Sequence, residues 1–179
     1  VLGAGGGEEA NWLVGEGFRV TAVEKDPARC AALAAMFENT DVDVREADIG
    51  DFGIVPQAHG IIVALAVLHF VHPRTLPALA GRISEGLAPG GLLLAQVLTD
   101  EDPSADVRRA AGSPERFQNT FPLNDSQGVI HYFGEGELAA LFARLQPLLD
   151  ERYRFAAERD GGYGAGEAFV ALRPSRDRS

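Results

Sequence analysis

Val1-Leu2-Gly3-Ala4-Gly5-Gly6-Gly7-Glu8-Glu9-Ala10 opens the chain, and its order decides the fold. Two apolar residues run into a glycine cluster and then into residues that favour helix, the pattern of a strand tail, a tight loop and a helix start. Glycines let backbone approach a ligand without Cβ clashes, and the unpaired N–H groups of the following helix start face it. The loop therefore suits a polar ligand.

Outward from it, short apolar runs alternate with helical patterns, which predicts an α/β chain with a mostly parallel sheet. A short helix through Asn11, Trp12 and Leu13 is ended by Gly15 and Gly17. Residues 18–23 read as a strand closed by Glu24, and Asp26-Pro27 supplies an N-cap and first-turn proline for a helix to about Phe37. Residues 42–47 form a third strand ending at Asp48, and residues 60–66, apolar on both faces, form a central parallel strand. Leu76, Leu79, Ile83 and Leu87 recur at helical spacing until Pro89-Gly90-Gly91, and a strand follows over residues 92–98. From Thr99 to Val129 periodicity disappears, so a long loop is expected there, bordering the substrate pocket. A last helix spans Glu135 to about Leu145. Strands near residues 152–158 and 167–172 flank a glycine-rich turn over residues 161–166, giving an antiparallel C-terminal hairpin.

At 179 residues the chain is expected to be one domain, 1–179, with length enough for a real core. Hydrophobic residues make up 46% and charged residues 23%, ordinary globular usage. A net charge of -10 repels phosphate backbones and argues against nucleic-acid partners; Arg108, Arg109 and Arg116 read as solvated loop charges. Cys30 is the only cysteine, so neither an internal disulfide nor a cysteine-cluster metal site is expected. No apolar run has membrane-spanning length and no leader pattern precedes the first strand, so a cytoplasmic location without membrane partners is expected.

The glycine spacing leaves two cofactor classes open. From Gly3 the chain reads G-x-G-x-G, and the sixth position of the dinucleotide pattern is the bulky Glu8; read from Gly5 through Gly7 to Ala10, the dinucleotide pattern is satisfied deeper in the helix. Glu24 can accept from both hydroxyls of an adenosine ribose, which either class uses. Asp48, in Glu46-Ala47-Asp48-Ile49, can accept from an adenine amino group or simply end its strand in solvent. His69 follows the central strand, where parallel sheets bind ligands, and stands as the candidate base against the reading of a packed, hydrogen-bonded histidine. His131 and Tyr132 are weaker acceptor contacts, and His72 reads as a helix-entry residue. Phe117 and Phe121 read first as loop anchors, Tyr163 as part of the terminal turn, and Cys30 as core.

In this order the segments resemble the class I S-adenosylmethionine-dependent methyltransferases, and more narrowly the tellurite-resistance methyltransferase type. Leu2-Gly3-Ala4-Gly5-Gly6-Gly7 is similar to the family's first motif, Val23-Glu24-Lys25 to its ribose-binding acid and Ala47-Asp48-Ile49 to its adenine-binding segment. Val67-Leu68-His69-Phe70-Val71, Leu87-Ala88-Pro89-Gly90-Gly91 and Phe133-Gly134-Glu135-Gly136-Glu137-Leu138 resemble its later segments.

The resemblance implies a Rossmann-like, doubly wound, mostly parallel seven-stranded sheet. It implies S-adenosylmethionine held by Gly3, Ala4, Gly5, Gly7, Glu24, Lys25, Asp48, Ile49, Ala64 and Leu65, with His69 catalytic and no metal. It further implies a small-molecule methyl acceptor, such as a soft sulfur, selenium or tellurium nucleophile or an oxyanion, and a monomer or homodimer. Val1 stands where such proteins usually carry an acid, and an N-terminal cover and part of the first strand are expected to be missing. An NAD(P)-binding oxidoreductase and a non-catalytic S-adenosylmethionine-binding module are the alternatives.

Overall fold

The computed structural model describes residues 1–123, 128–156 and 163–175. The glycine loop delivers the chain into α1 (Glu8–Gly15). Strand β1 (Val20–Glu24) then leads to α2 (Pro27–Met36), which starts as its sequence predicts: Pro27 stands in the first turn and the Asp26 carboxylate caps Arg29 N–H at 2.9 Å. Strand β2 (Val42–Glu46) pairs parallel to β1. Strand β3 (His59–Leu65) is followed by a 3-10 turn (Leu68–Phe70), α3 (Leu76–Gly86) and β4 (Leu87–Leu98), completing a parallel β3–β4 crossover.

Alternation along β3 shows why both sheet faces are covered. Ile62 and Ala64 join a core built with Leu76, Leu79 and Ile83 of α3, while Val63 joins another with Leu13 of α1 and Leu33 of α2. Helices therefore lie on both faces, the doubly wound arrangement.

The expected seven-stranded sheet is not seen as such. Strands β1 and β2 form a two-stranded sheet, and β3, β4, β8 (Tyr163–Leu172) and β7 (Gln146–Ala156) a four-stranded one in the order β3-β4-β8-β7. Between the two lie residues 1–4: Leu2 bridges Val23 in parallel and donates its N–H to Val63 O at 2.8 Å, and Val1 O and Ala4 N–H bond to the Val23 backbone at 2.9 Å.

Strand β4 starts at Leu87, five residues before the expected Leu92. The Pro89-Gly90-Gly91 segment is absorbed as an irregularity, with His59 opposite Leu87 and Ile61 opposite Leu92, and Arg173 secures it by exchanging backbone hydrogen bonds with Gly90 and Gly91.

The segment expected to be a long loop contains α4 (Pro103–Ala110) and β5 (Thr120–Pro122), which pairs with β6 (Val129–His131). Tyr132, Phe121 and Ile130 pack with Ala105 of α4 in a core of their own. The last helix, α5 (Glu137–Leu141), is shorter than expected. The hairpin is present, but Tyr163 to Gly166 belong to β8 rather than the turn; Gly161 and Gly162 lie outside the described residues. Aromatic side chains of β7 explain this, because Phe155 lies opposite Gly164 and Tyr153 opposite Gly166, each ring occupying the space a Cβ would take.

Candidate cofactor site

Two loops meet at the carboxyl ends of the parallel strands. The first leaves Leu2 and turns through Gly3 and Gly5, whose φ values of 69° and 52° belong to the left-handed region. The second leaves β3 through Ala66, a residue forced to φ 52° and held there by its N–H donating to Gln96 O at 3.0 Å. A Cβ on Gly3 would overlap Val67, so glycine there is what lets the two loops touch.

Glu24 ends β1 buried, its carboxylate accepting from Gly5 N–H (3.0 Å), Lys25 N–H (2.9 Å) and Asp26 N–H (3.0 Å). A carboxylate offers about four acceptor sites, so one remains after these three. The acid thus locks the glycine loop while keeping capacity for a hydroxyl. Ala47 N–H donates to Glu24 O at 2.9 Å, which brings the exit of β2 alongside; the exposed Asp48 then folds its Oδ1 onto Gly50 N–H at 2.8 Å.

These segments enclose a crevice of about 470 Å³, lined by Gly3, Ala4, Gly5, Glu24, Lys25, Asp48, Ile49 and Leu65 among others. That volume lies within the roughly 300–1,000 Å³ of small-molecule sites. A Cβ on Gly5 would stand in the open crevice, with Gly3 O at 3.9 Å its nearest neighbour. Four carboxylates, of Glu8, Glu9, Glu24 and Asp48, face two cations, Lys25 and Arg29, and Val67, Phe70, Val71 and Leu123 give an apolar wall. A second crevice of about 430 Å³ opens at the other ends of these strands, around Val20, Thr21 and Ile61, away from the glycine loop.

Three of the expected site residues lie outside the lining. Gly7 is buried against α2, where a Cβ would come within 2.7 Å of Leu33 Cδ2 and 3.2 Å of Phe37 Cε2, so a side chain has no room there. Ala64 is fully buried in the sheet. His69 is buried beside the crevice, its ring 4.3 Å from that of Phe70, and its Nδ1 accepts from Leu98 N–H at 3.4 Å, leaving the proton of the neutral ring on Nε2. Burial, opposed by Asp102 and reinforced by His131, pushes its pKa down to about 4.

The other candidates are engaged with neighbouring side chains. His131 bridges Thr120 Oγ1 and Glu137 Oε1, each at 2.8 Å, and Tyr132 OH meets Ser104 Oγ at 2.8 Å and Arg108 Nε at 3.2 Å. Although burial pushes the Glu137 carboxyl up, its hydrogen bonds from His131 and Gly134 N–H hold it below the usual range. Phe117 packs on His72 and Arg74, as a loop anchor does. Cys30 is buried, with its Sγ on Glu24 O at 3.2 Å. Sequence reasoning missed Glu8, Glu9, Arg29 and Phe70. Glu8 and Glu9 open α1 directly after the glycine loop and Arg29 lies in the first turn of α2, so helix geometry alone could have placed them.

A family model described as a methyltransferase domain matches residues 2–146, and the chain belongs to that family. Among individual proteins it is 36% identical over 117 residues to a carboxy-S-adenosyl-L-methionine synthase of Photorhabdus laumondii, covering 58% of this chain and 46% of that one. The chain thus spans about half the length of the curated relatives it matches. In fold it is similar to an S-adenosylmethionine-dependent methyltransferase of Methanosarcina mazei (TM-score 0.82, 15% identity, covering 98% of this chain and 91% of that one). It is similar also to TehB of Haemophilus influenzae (TM-score 0.72, 18% identity, covering 96% and 55%).

Proposed function

We propose that this chain binds S-adenosylmethionine in the glycine-loop crevice and transfers its methyl group to a small-molecule acceptor. The observation that carries the reading is the gathering of the Gly3–Gly5 loop, Glu24 and the Asp48–Ile49 exit around one crevice. Residues 1–4, bonded to Val23 of β1 on one side and Val63 of β3 on the other, take the place of a further strand that joins the two sheets.

When bound, the cofactor supplies a sulfonium-activated methyl group. Glu24 would offer its remaining acceptor site to a ribose hydroxyl, and Asp48 with buried Ile49 would border the adenine. The excess of carboxylates over cations in the lining favours a ligand that carries positive charge. Phe70, Val71 and Leu123 exclude water from the acceptor's approach. His69, neutral and engaged with Leu98 N–H, positions the turn that carries Phe70 and moves no proton. Among the described residues no histidine lines the crevice, and the chemistry suits an acceptor that is already a good nucleophile, such as a thiolate or a selenium or tellurium oxyanion. The relative at 36% identity motivates a second reading, a carboxylated form of the same sulfonium compound, which Lys25 and Arg29 would pair.

Calorimetric titration tests the reading directly. S-adenosylhomocysteine should bind and NADH should not, and Glu24→Gln should weaken binding about tenfold or more through loss of a charge-assisted hydrogen bond. Binding of NADH alone would install the oxidoreductase reading. Binding without turnover across thiol, selenite, tellurite and phenol acceptors would mark a non-catalytic module, and preference for the carboxylated sulfonium would favour the second reading.

A further inference from the structure

We propose that the outer edge of β7 pairs antiparallel with the same strand of a second copy of this chain, about a two-fold axis at Arg152. Strand β7 is eleven residues long and ends the four-stranded sheet; among the described residues no strand pairs with its outer side. Such an edge presents a row of backbone N–H and C=O groups, which proteins that stay apart usually blunt with charged side chains, proline or a bulge. Here Pro147 with the irregularity before Leu149 interrupts only the first residues, and the edge charges, Asp150, Glu151, Arg152 and Arg154, are of both signs. Leu149 to Phe155 remain as a regular pairing edge.

The sequence of that edge is complementary to itself. With Arg152 opposite its own copy, Asp150 falls opposite the partner copy's position 154, an arginine, and Arg154 opposite an aspartate, two ion pairs per dimer. Leu149 falls opposite a phenylalanine at position 155, and both side chains are more than a third exposed in the single chain (37% and 38%). Glu151 meets a tyrosine. The one like-charge meeting, Arg152 with its copy, is already neutralised: each guanidinium is held by Asp100 (3.1 Å), Glu101 (3.1 Å) and Glu167 (3.3 Å). The Arg154 guanidinium lies over the Tyr163 ring at 4.8 Å, and Tyr163, like Phe155, is exposed. Shifting the register by two residues would set Asp150 against Arg152, which three carboxylates already occupy, and would remove the Leu149–Phe155 contacts.

Sedimentation equilibrium at about 150 mM salt, over concentrations from about 1 µM to about 1 mM, tests the pairing. The chain should show a dimer, and Asp150→Arg or Arg154→Asp alone should raise its dissociation constant tenfold or more by opposing like charges twice. The double variant Asp150→Arg/Arg154→Asp should return it to within about threefold of the parent. Circular dichroism on each variant separates unfolding from dissociation. A single-chain mass at every concentration, a dimer indifferent to the single substitutions, or a double variant that stays dissociated would each overturn the pairing.

Discussion

Gly5 and Gly7 lie two residues apart in one loop and do different work. Gly5 has open crevice where its side chain would be, whereas Gly7, at φ 93°, has Leu33, Phe37 and Met36 of the α2 region within 3.3 Å of that point. Substituting Gly5→Ala should therefore cost only the modest strain of a left-handed alanine, on the order of 1 kcal/mol, yet abolish or greatly weaken S-adenosylhomocysteine binding by placing a methyl in the crevice. Gly7→Ala should do the reverse. It adds overpacking to strain and should destabilise the fold by roughly 2–4 kcal/mol, with near-normal affinity in whatever fraction stays folded. Urea denaturation and calorimetry on the two variants read both effects, and equal losses of stability would refute the division of labour. The sequence pattern treats the two residues alike because the pattern encodes spacing; only the position of Leu33, far along the chain, distinguishes them.

At the scale of elements, two helix starts carry the same signal. Asp26-Pro27 opens α2 and Asp102-Pro103 opens α4, each aspartate accepting a backbone N–H within its first turn at 2.9 Å. The first is legible because an apolar periodicity follows it, and the second is not because Ser104, Asp106, Arg108 and Arg109 make α4 polar nearly all round. What holds α4 is tertiary. Asp102 Oδ2 also accepts Ala165 N–H of β8 at 2.9 Å, and Ala105 is buried against Phe121 and Tyr132. Removing that carboxylate by Asp102→Ala should thus cost about 2–4 kcal/mol, the cap plus a buried amide left unpaired, and should speed hydrogen exchange at Ala165. Exchange unchanged at Ala165 would deny the link between helix and sheet. The β4 start was hidden for a related reason: Arg173, which secures Gly90 and Gly91, lies more than eighty residues away. By contrast the Gly3–Gly5 loop, Glu24 and Asp48 sit at strand ends that the alternation of apolar runs and helices already marks in the sequence, and in the structure they line one crevice.

Over the whole molecule, the buried histidine ties the fold to pH. His69 has an ordinary pKa of 6.5 once unfolded and about 4 when folded, because burial disfavours its charged form more than Asp102 favours it. Above about pH 6.5 neither state holds the proton, and the folded chain has its full stability with respect to this group. As pH falls from there toward 4, the unfolded chain takes up a proton that the folded chain refuses, so stability is lost progressively, by about 3 kcal/mol at the lower limit. Other groups titrate in the same range. Glu137, held below its usual value, adds a loss that begins lower, and Glu167, pushed up by burial and by Asp150, changes with the opposite sign. The useful quantity is therefore the difference between the parent and His69→Gln, in which those contributions cancel to first order. The difference in unfolding free energy, measured by urea denaturation, should be constant from about pH 8 to about pH 6.5. Below that it should shrink as the parent alone weakens, by up to about 3 kcal/mol near pH 4. Parallel pH profiles for the two proteins would mean that His69 is solvated in the folded chain, and with that the packing of the Leu68–Phe70 turn against β4 would have to be redrawn.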